Sequence, residues 1–271
     1  MEKIRRLLLR VGDLIYSIVS RLEMAAYERY LEEKLRAGPI PQHVAVILDG
    51  NRRFARRAGI PLIEAYRMGA RRAREIADWC DSLGVKHVTF FVLSTENFSR
   101  PKRELEAVLS VIRENLRGFL NELDTLKEKG VRVRFAGRLW MLPKDIREIA
   151  KEIEEKTARF GERSVNIAIA YGGRAEIVDA VRKIAEEVRK GRLDPEDINE
   201  DVIKGHLYLG DLPDPDLIIR TSGEERISNF LLWQSAYSEL CFLDVYLPAM
   251  RKVDFLRAVR EYQRRSRRFG R

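Results

Sequence analysis

Five short apolar runs, at residues 43–48, 86–93, 131–136, 164–170 and 216–219, alternate along the chain with helix-like stretches, and this alternation restricts the fold more than any other feature. Val44-Ala45-Val46-Ile47-Leu48 is representative: it is uninterrupted by charge and partly β-branched, as a strand buried on both faces must be. The stretches near 62–83, 101–129, 143–159 and 174–190 carry apolar residues at helical spacing instead. Strands separated by helices long enough to cross over form a parallel sheet covered on both faces. A further strand near 239–245 and a basic helix over 251–268 complete the expectation. It is a single α/β domain with a roughly six-stranded, mainly parallel sheet flanked by helices.

Length and composition agree. A chain of 271 residues with 45% apolar content can bury a substantial core, and no linker, repeat or low-complexity tract divides it. Cys80 and Cys241 are the only cysteines, which argues against a disulfide framework or a thiolate metal site and fits a reducing cytoplasm. No segment of the sequence reaches the ~20 apolar residues that span a bilayer.

Residues 4–36 read as helix, with Leu7, Leu8, Val11, Leu14, Ile15, Ile18, Val19 and Leu22 on one face and Arg5, Arg6, Arg10 and Arg21 off it. Gly38-Pro39-Ile40-Pro41 ends that helix, so residues 1–38 are expected to form an amphipathic extension and 39–271 the main domain. The stripe suits packing on the chain's own domain, on a partner, or peripherally on a membrane surface. After Pro101 the helical stretch carries Leu105, Val108, Leu109, Ile112, Leu116, Phe119, Leu120, Leu123 and Leu126. That face is wider than one sheet contact requires, and it serves either as core or as one wall of an elongated apolar tunnel.

Four segments at strand ends carry chemistry: Asp49-Gly50-Asn51-Arg52-Arg53-Phe54; Ser94-Thr95-Glu96-Asn97-Phe98-Ser99-Arg100-Pro101; Tyr171-Gly172-Gly173-Arg174; and the run from Ile219 to Phe230 with Arg220, Arg226 and Ser228. Guanidinium forks, hydroxyl donors and glycine-freed backbone N–H groups are what a diphosphate needs. Each segment alone is weak. Asp49 reads equally as a helix N-cap, Arg220 and Arg226 as structural partners of Glu224 or Glu225, and Glu239 as a strand-end carboxylate. Together they carry more, because an open α/β sheet gathers strand ends at one rim. The net charge of +9 is clustered, notably in Arg264, Arg265, Arg267, Arg268 and Arg271. Clusters of this kind suit nucleic acid, anionic lipid or polyphosphate, and the lack of an aromatic-interleaved basic motif argues against nucleic acid.

The segments HVAVILDGNRRFA, STENFSRP, YGGR and IRTSGEERISNFLLWQSAYSEL closely resemble the cis-prenyltransferase family of undecaprenyl and dehydrodolichyl diphosphate synthases, from about Pro41 to the C-terminus. Arg52 and Phe54 look like the archaeal and eukaryotic branch rather than the common bacterial form. The resemblance implies addition of isopentenyl diphosphate to an allylic diphosphate, each step making a cis double bond and releasing diphosphate. It implies Mg2+ on Asp49 with Glu239 contributing, and Gly50, Asn51, Arg52, Arg53 and Phe54 around the allylic diphosphate with Arg100 nearby. Ser94 and Asn97 would orient the reacting groups or assist proton removal, and Thr95, Glu96 and Phe98 belong to the same substrate segment. Arg220, Arg226 and Ser228 would hold the isopentenyl diphosphate, and Arg268 and Gly270 would complete the site of a second subunit in a homodimer. Leu62 and Tyr66 stand where many bacterial relatives have arginine and histidine. The rival reading is a non-catalytic partner subunit of the same fold. A trans-type synthase would carry DDxxD motifs, and the sequence has none.

Overall fold

A computed structural model describes residue 19 and residues 22–265. Six strands, β1 (His43–Ile47), β2 (His87–Ser94), β3 (Val131–Ala136), β4 (Arg163–Tyr171), β5 (Leu217–Thr221) and β6 (Glu239–Leu243), form one sheet in the order β3-β4-β2-β1-β5-β6. Every pairing is parallel. The sequence reading of a mainly parallel six-stranded α/β domain therefore holds.

Helices α2 (Asn51–Ala58) and α3 (Leu62–Leu83) join β1 to β2, and α4 (Lys102–Asn121) and α5 (Leu123–Glu128) join β2 to β3. Beyond β3, α6 (Lys144–Thr157) leads to β4, and α7 (Gly173–Arg189) and α8 (Glu200–His206) lead to β5. α9 (Lys252–Arg264) follows β6. The helical stretch expected over 101–129 is thus subdivided, whereas that over 62–83 is α3 alone, with α2 before it. Gly59, in the left-handed region, and Pro61 separate α2 from α3, and α4 gives way to α5 at Glu122, whose ψ of 14° leaves the helical range.

The two faces of the sheet differ. Val44, Val46, Val88, Phe90, Val133, Phe135, Ile167, Leu217 and Ile219 point to one side, where α3, α4, α6 and α9 cover them. Fully burying a side chain such as Phe255 of α9 contributes about 1.5–3 kcal/mol. The other face carries smaller and more polar groups, Ala45, Thr89, Asn166, Ala168 and Ile218, all buried. There His43 Nε2 meets Thr89 Oγ1 at 2.7 Å, and Asn166 Nδ2 donates to the same hydroxyl at 3.1 Å, linking three strands. Burial pushes the His43 imidazole down to about 4, so it is neutral inside the fold at neutral pH.

Residues 22–36 form a helix, α1. Leu31 and Leu35 are buried in the core, and Glu28 accepts from the backbone N–H of Val253 at 3.1 Å, capping α9. Lys252 pairs with Glu32 at 2.6 Å. Most of the apolar stripe expected over residues 4–22 lies outside the described residues.

Candidate active site

Chain direction fixes where ligands bind. The connection after β1 runs toward β2, and the connection after β5 runs the opposite way toward β6, so a crevice opens beyond the carboxyl ends of β1 and β5. Asp49 leaves β1 and Arg220 lies on β5, and they meet across that crevice, Arg220 Nη2 donating to Asp49 Oδ2 at 2.8 Å. Thr221 fixes the turn by accepting from the Asp49 N–H at 3.0 Å and donating to the Asp49 carbonyl at 2.7 Å. Burial alone would raise the Asp49 carboxyl, but Arg220, Ser222 and the Gly50 N–H outweigh it and hold the group below the usual carboxylate range.

Gly50 permits this approach. Its φ of 104° suits glycine, and a Cβ there would stand 2.9 Å from the Tyr246 ring. No side chain caps α2, and Gly50, Asn51, Arg52 and Arg53 line the cavity at its start, the arrangement of an anion-binding helix N-terminus. Arg53 reaches back to Ser222 Oγ at 2.6 Å and also bonds Glu224. Arg220 Nη1 donates to Ser228 Oγ at 2.7 Å and to the Arg226 carbonyl. Ser222, Ser228, Asn229 and Leu231 all have positive φ, a concentration of strained backbone characteristic of binding loops. The side-chain atoms Arg220 Nε and Asn51 Oδ1 are buried without a partner among the described residues.

A second cluster lies across the mouth. Ser94 and Asn97 form a reciprocal capping box at the 3-10 turn Thr95–Ser99. Arg100 and Arg52 each lie 3.3 Å from Glu104, and Arg100 donates to the Tyr66 hydroxyl at 3.3 Å. From the mouth a cavity of about 910 Å3 runs between the sheet and α3 and α4, lined by Phe90, Val92, Leu93, Val108, Ile112, Leu116 and Phe119 among others. The small residues Gly69, Ala70, Ala73 and Ala77 along α3 leave room for it.

Of the residues picked from sequence, Asp49, Gly50, Asn51, Arg52, Arg53, Ser94, Asn97, Arg100, Arg220, Arg226 and Ser228 line this one cavity. Phe54, Thr95, Glu96 and Phe98 do not. Glu96 instead accepts from Asn229 at 3.0 Å, and Phe98 packs on the core beneath α4 and α6. Within one chain Glu239 lies apart from Asp49: it begins β6 opposite Leu217, four strand steps or about 13 Å from Thr221 at the Asp49 end. Its carboxylate takes Arg265 at 3.0 Å. A strand-end carboxylate lies at one edge or the other according to strand direction, and β6 runs parallel, so the two carboxylates occupy opposite edges. Arg268 and Gly270 lie outside the described residues. The structure adds Ser222 and Glu104, whose only sequence signal is proximity to the glycine and arginine motifs, and Tyr246, which has none, and it brings Glu224 to Arg53.

Fold and site together define an α/β enzyme that handles polyphosphate at the mouth of an apolar cavity. Residues 47–270 match the family described as "Putative undecaprenyl diphosphate synthase", and the chain belongs to that prenyltransferase family. It is 54% identical over 245 residues to the tritrans,polycis-undecaprenyl-diphosphate synthase (geranylgeranyl-diphosphate specific) of Methanopyrus kandleri, covering 90% of both chains. To the protein of the same name from Pyrococcus furiosus it is 48% identical over 265 residues, covering 95% of this chain and all of that one. Among solved structures, lavandulyl diphosphate synthase from Lavandula x intermedia in complex with dimethylallyl diphosphate superposes with a TM-score of 0.82 at 35% identity. The match covers 86% of this chain and 99% of that one. A probable undecaprenyl diphosphate synthase from Campylobacter jejuni gives 0.70 at 31%, covering 86% and 100%. The likeness to archaeal family members expected from Arg52 and Phe54 is thus found.

Proposed function

We propose that this chain condenses isopentenyl diphosphate onto an allylic diphosphate, geranylgeranyl diphosphate by the names of its relatives, to make a polycis-polyprenyl diphosphate that serves as a glycosyl carrier lipid precursor. The observation that carries the reading is the joining of the Asp49, Arg53, Arg220 and Ser228 cluster to a long apolar cavity. One part suits diphosphate and the other suits a prenyl chain. In each step a C–C bond forms between C4 of isopentenyl diphosphate and C1 of the allylic chain. The C1–O bond breaks, diphosphate leaves, and a proton departs from C2.

The residues divide this work by their chemistry. Arg220 and Ser228, already bonded to each other, present fixed donors to the isopentenyl diphosphate, with Arg226 at the rim. The start of α2, with Arg53, Arg52 and Arg100, receives the allylic diphosphate, whose charge develops as C1–O breaks. Ser94 and Asn97 hold one another and orient; neither is a base at neutral pH.

Among the described residues no cluster of three or more His, Cys, Asp or Glu side chains could hold a metal. That fits Mg2+, which is commonly bound by one or two carboxylates plus substrate phosphate oxygens and water. Asp49, kept ionised by Arg220, is the residue that would hold it, and the ion would neutralise charge on the leaving diphosphate.

Two accessory readings rest on sequence. The chain works as a homodimer in which the basic C-terminal run serves the neighbouring site. Removal of residues 267–271 then lowers activity far more than melting temperature, and equal losses would count against it. The 4–22 stripe attaches the protein to membrane surfaces peripherally, and liposome flotation unchanged by deletion of residues 1–18 would dispose of that. No described helix is long and apolar enough to cross a membrane.

The test of the main reading is incubation of the purified chain with labelled isopentenyl diphosphate and a panel of allylic diphosphates, with and without Mg2+, followed by sizing of the products. Metal-dependent polyprenyl diphosphate is expected. No incorporation with any primer would overturn the reading in favour of a partner subunit.

A further inference from the structure

Tyr171-Gly172-Gly173-Arg174 ends β4 and opens α7, yet none of its four residues lines the cavity. Its glycines instead let three chain segments touch. A Cβ on Gly172 would stand 2.9 Å from both Asn229 Nδ2 and Thr95 Oγ1, and one on Gly173 would stand 3.1 Å from the Asn229 carbonyl oxygen and 2.7 Å from the Leu232 side chain. The 3-10 turn Thr95–Ser99, the start of α7 and the loop that follows Ser228 therefore meet at one point. That point lies just outside the cavity, because Ser94, Asn97 and Ser228 line it while Glu96, Gly172 and Asn229 do not.

Asn229 holds the three segments together. Its backbone carbonyl accepts from the Gly173 N–H at 2.7 Å, and its side-chain oxygen accepts from the Arg174 N–H at 2.9 Å. A backbone N–H can only donate, so the amide nitrogen of Asn229 faces the other way, where it donates to Glu96 Oε1 at 3.0 Å. Burial works to raise the Glu96 carboxyl, but its own backbone N–H and the Ser94 and Asn229 side chains outweigh it and hold the group below the usual carboxylate range. The bridge thus runs from the first turn of α7 through Asn229 to Glu96, and on to Ser94 at the cavity wall. Along the chain Asn229 is fixed from both sides. Ser228 before it accepts from Arg220 at 2.7 Å, and Phe230 after it is fully buried and stacked on Phe91 of β2 with ring centroids 4.6 Å apart.

We propose that Asn229 is a positioning residue whose amide sets the distance between the two diphosphate subsites. The inference rests on the prenyl-transfer reading above. Arg220 and Ser228 present donors to the isopentenyl diphosphate, and the turn at Glu96 leads directly to Arg100, which receives the allylic diphosphate. The two loops lie 133 positions apart in the chain and meet through the Asn229–Glu96 bond. A C–C bond forms only when the reacting carbons stand about 3–3.5 Å apart, and a misplacement of about 1 Å can cost about 10²-fold in rate. Loops that each hold their substrate correctly still fail if they drift apart. A planar amide bonded at both ends has one length, so it acts as a spacer between them. Its loss leaves each diphosphate with its own donors and loosens only their relative placement.

The experiment measures the first condensation in a single turnover, from labelled isopentenyl diphosphate and geranylgeranyl diphosphate with Mg2+, together with KM for each substrate and the melting temperature. It compares the full chain with three variants. Asn229→Asp keeps the acceptor for the Arg174 N–H and turns a carboxylate toward Glu96. Asn229→Asp combined with Glu96→Gln restores a donor and an acceptor with their direction reversed. Glu96→Ala breaks the bridge from its exposed side, so it tests the idea even if Asn229→Asp fails to fold. Both single variants are expected to lower the single-turnover rate by about 10- to 100-fold, with little change in either KM or in melting temperature, and the double variant is expected to recover most of the loss. A raised KM for isopentenyl diphosphate at an unchanged rate, a loss of rate matched by a loss of melting temperature, or no recovery in the double variant overturns the positioning role and leaves the enzyme assignment standing. No incorporation by the wild-type chain overturns the assignment itself.

Discussion

The two edges of the sheet use the same residue types for opposite ends. At the carboxyl edge, Arg220 is buried beside one carboxylate, keeps an unpartnered buried Nε and stands among residues held at positive φ. At the amino edge, Arg163 and Lys129 are part-exposed, paired with Asp81 and Asp78, and attached to regular strand and turn. Strand direction makes the difference. Parallel strands all deliver loops and helix starts to one edge, where unsatisfied N–H groups and arginines attract anions, and leave the other edge to be closed by whatever stabilises it. Cations at the first edge are held for a ligand, and cations at the second are spent on the protein.

The largest expected effect breaks this comparison at the carboxyl edge. Arg220→Ala should lower kcat/KM for isopentenyl diphosphate by about 10²–10³-fold, the usual cost of losing one positioned donor to a reacting oxyanion site, measured by initial rates on protein verified as folded. A loss below tenfold would make the Asp49–Arg220 pair structural, like its counterparts at the other edge.

The amino edge should speak through stability and pH. The His43 imidazole titrates at about 4 in the fold and near 6.5 in the unfolded chain, so the unfolded state binds the extra proton between those values. Stability is therefore lost as pH falls from about 6.5 to about 4, by about 3 kcal/mol for this group, and burial lowers His87 in the same direction. Denaturant melts across that window should show the slope, and His43→Asn should flatten it. Asp49 has the other kind of shift: its contribution is complete above the ordinary carboxylate pKa of about 3.9 and disappears only as pH falls through its depressed folded value. Activity lost between pH 6.5 and 4 should accordingly track unfolding rather than protonation of Asp49.

A pair of glycines sharpens the contrast at smaller scale. A Cβ on Gly50 would meet Tyr246, and one on Gly161, with φ of 35°, would stand 2.6 Å from the Gly130 carbonyl oxygen. Both alanine variants should lose about 1–3 kcal/mol of stability, yet only Gly50→Ala should lose activity in the folded fraction. The smallest effect belongs to Arg52→Ala. Its side chain is 55% exposed and pairs with Glu104 at 3.3 Å, so its loss should cost at most about 1 kcal/mol, a rise of up to about fivefold in allylic KM. An unchanged KM and kcat would show that Arg52 takes no part in holding the allylic diphosphate.

The amino-acid sequence by itself determined the parallel sheet, because charge-free runs such as Val44–Leu48 can only be buried on both faces and helical periods between them dictate crossovers. It also marked four strand-end segments by their local pattern of glycine, arginine and hydroxyl residues, and three of them, all but Tyr171–Arg174, supply residues that line the cavity. Only the tertiary structure decided which of these residues meet. Asp49 finds Arg220, 171 positions away, while Glu239 is carried to the opposite edge, and Phe98 turns into the core. The ion-paired cluster of Asp81, Lys129 and Arg163 was equally invisible, because its members are ordinary surface charges in sequence and meet only where the end of α3, the turn after α5 and the start of β4 converge. Periodicity is a property of neighbours along the chain, whereas a site is a property of neighbours in space, and strand order and direction convert one into the other.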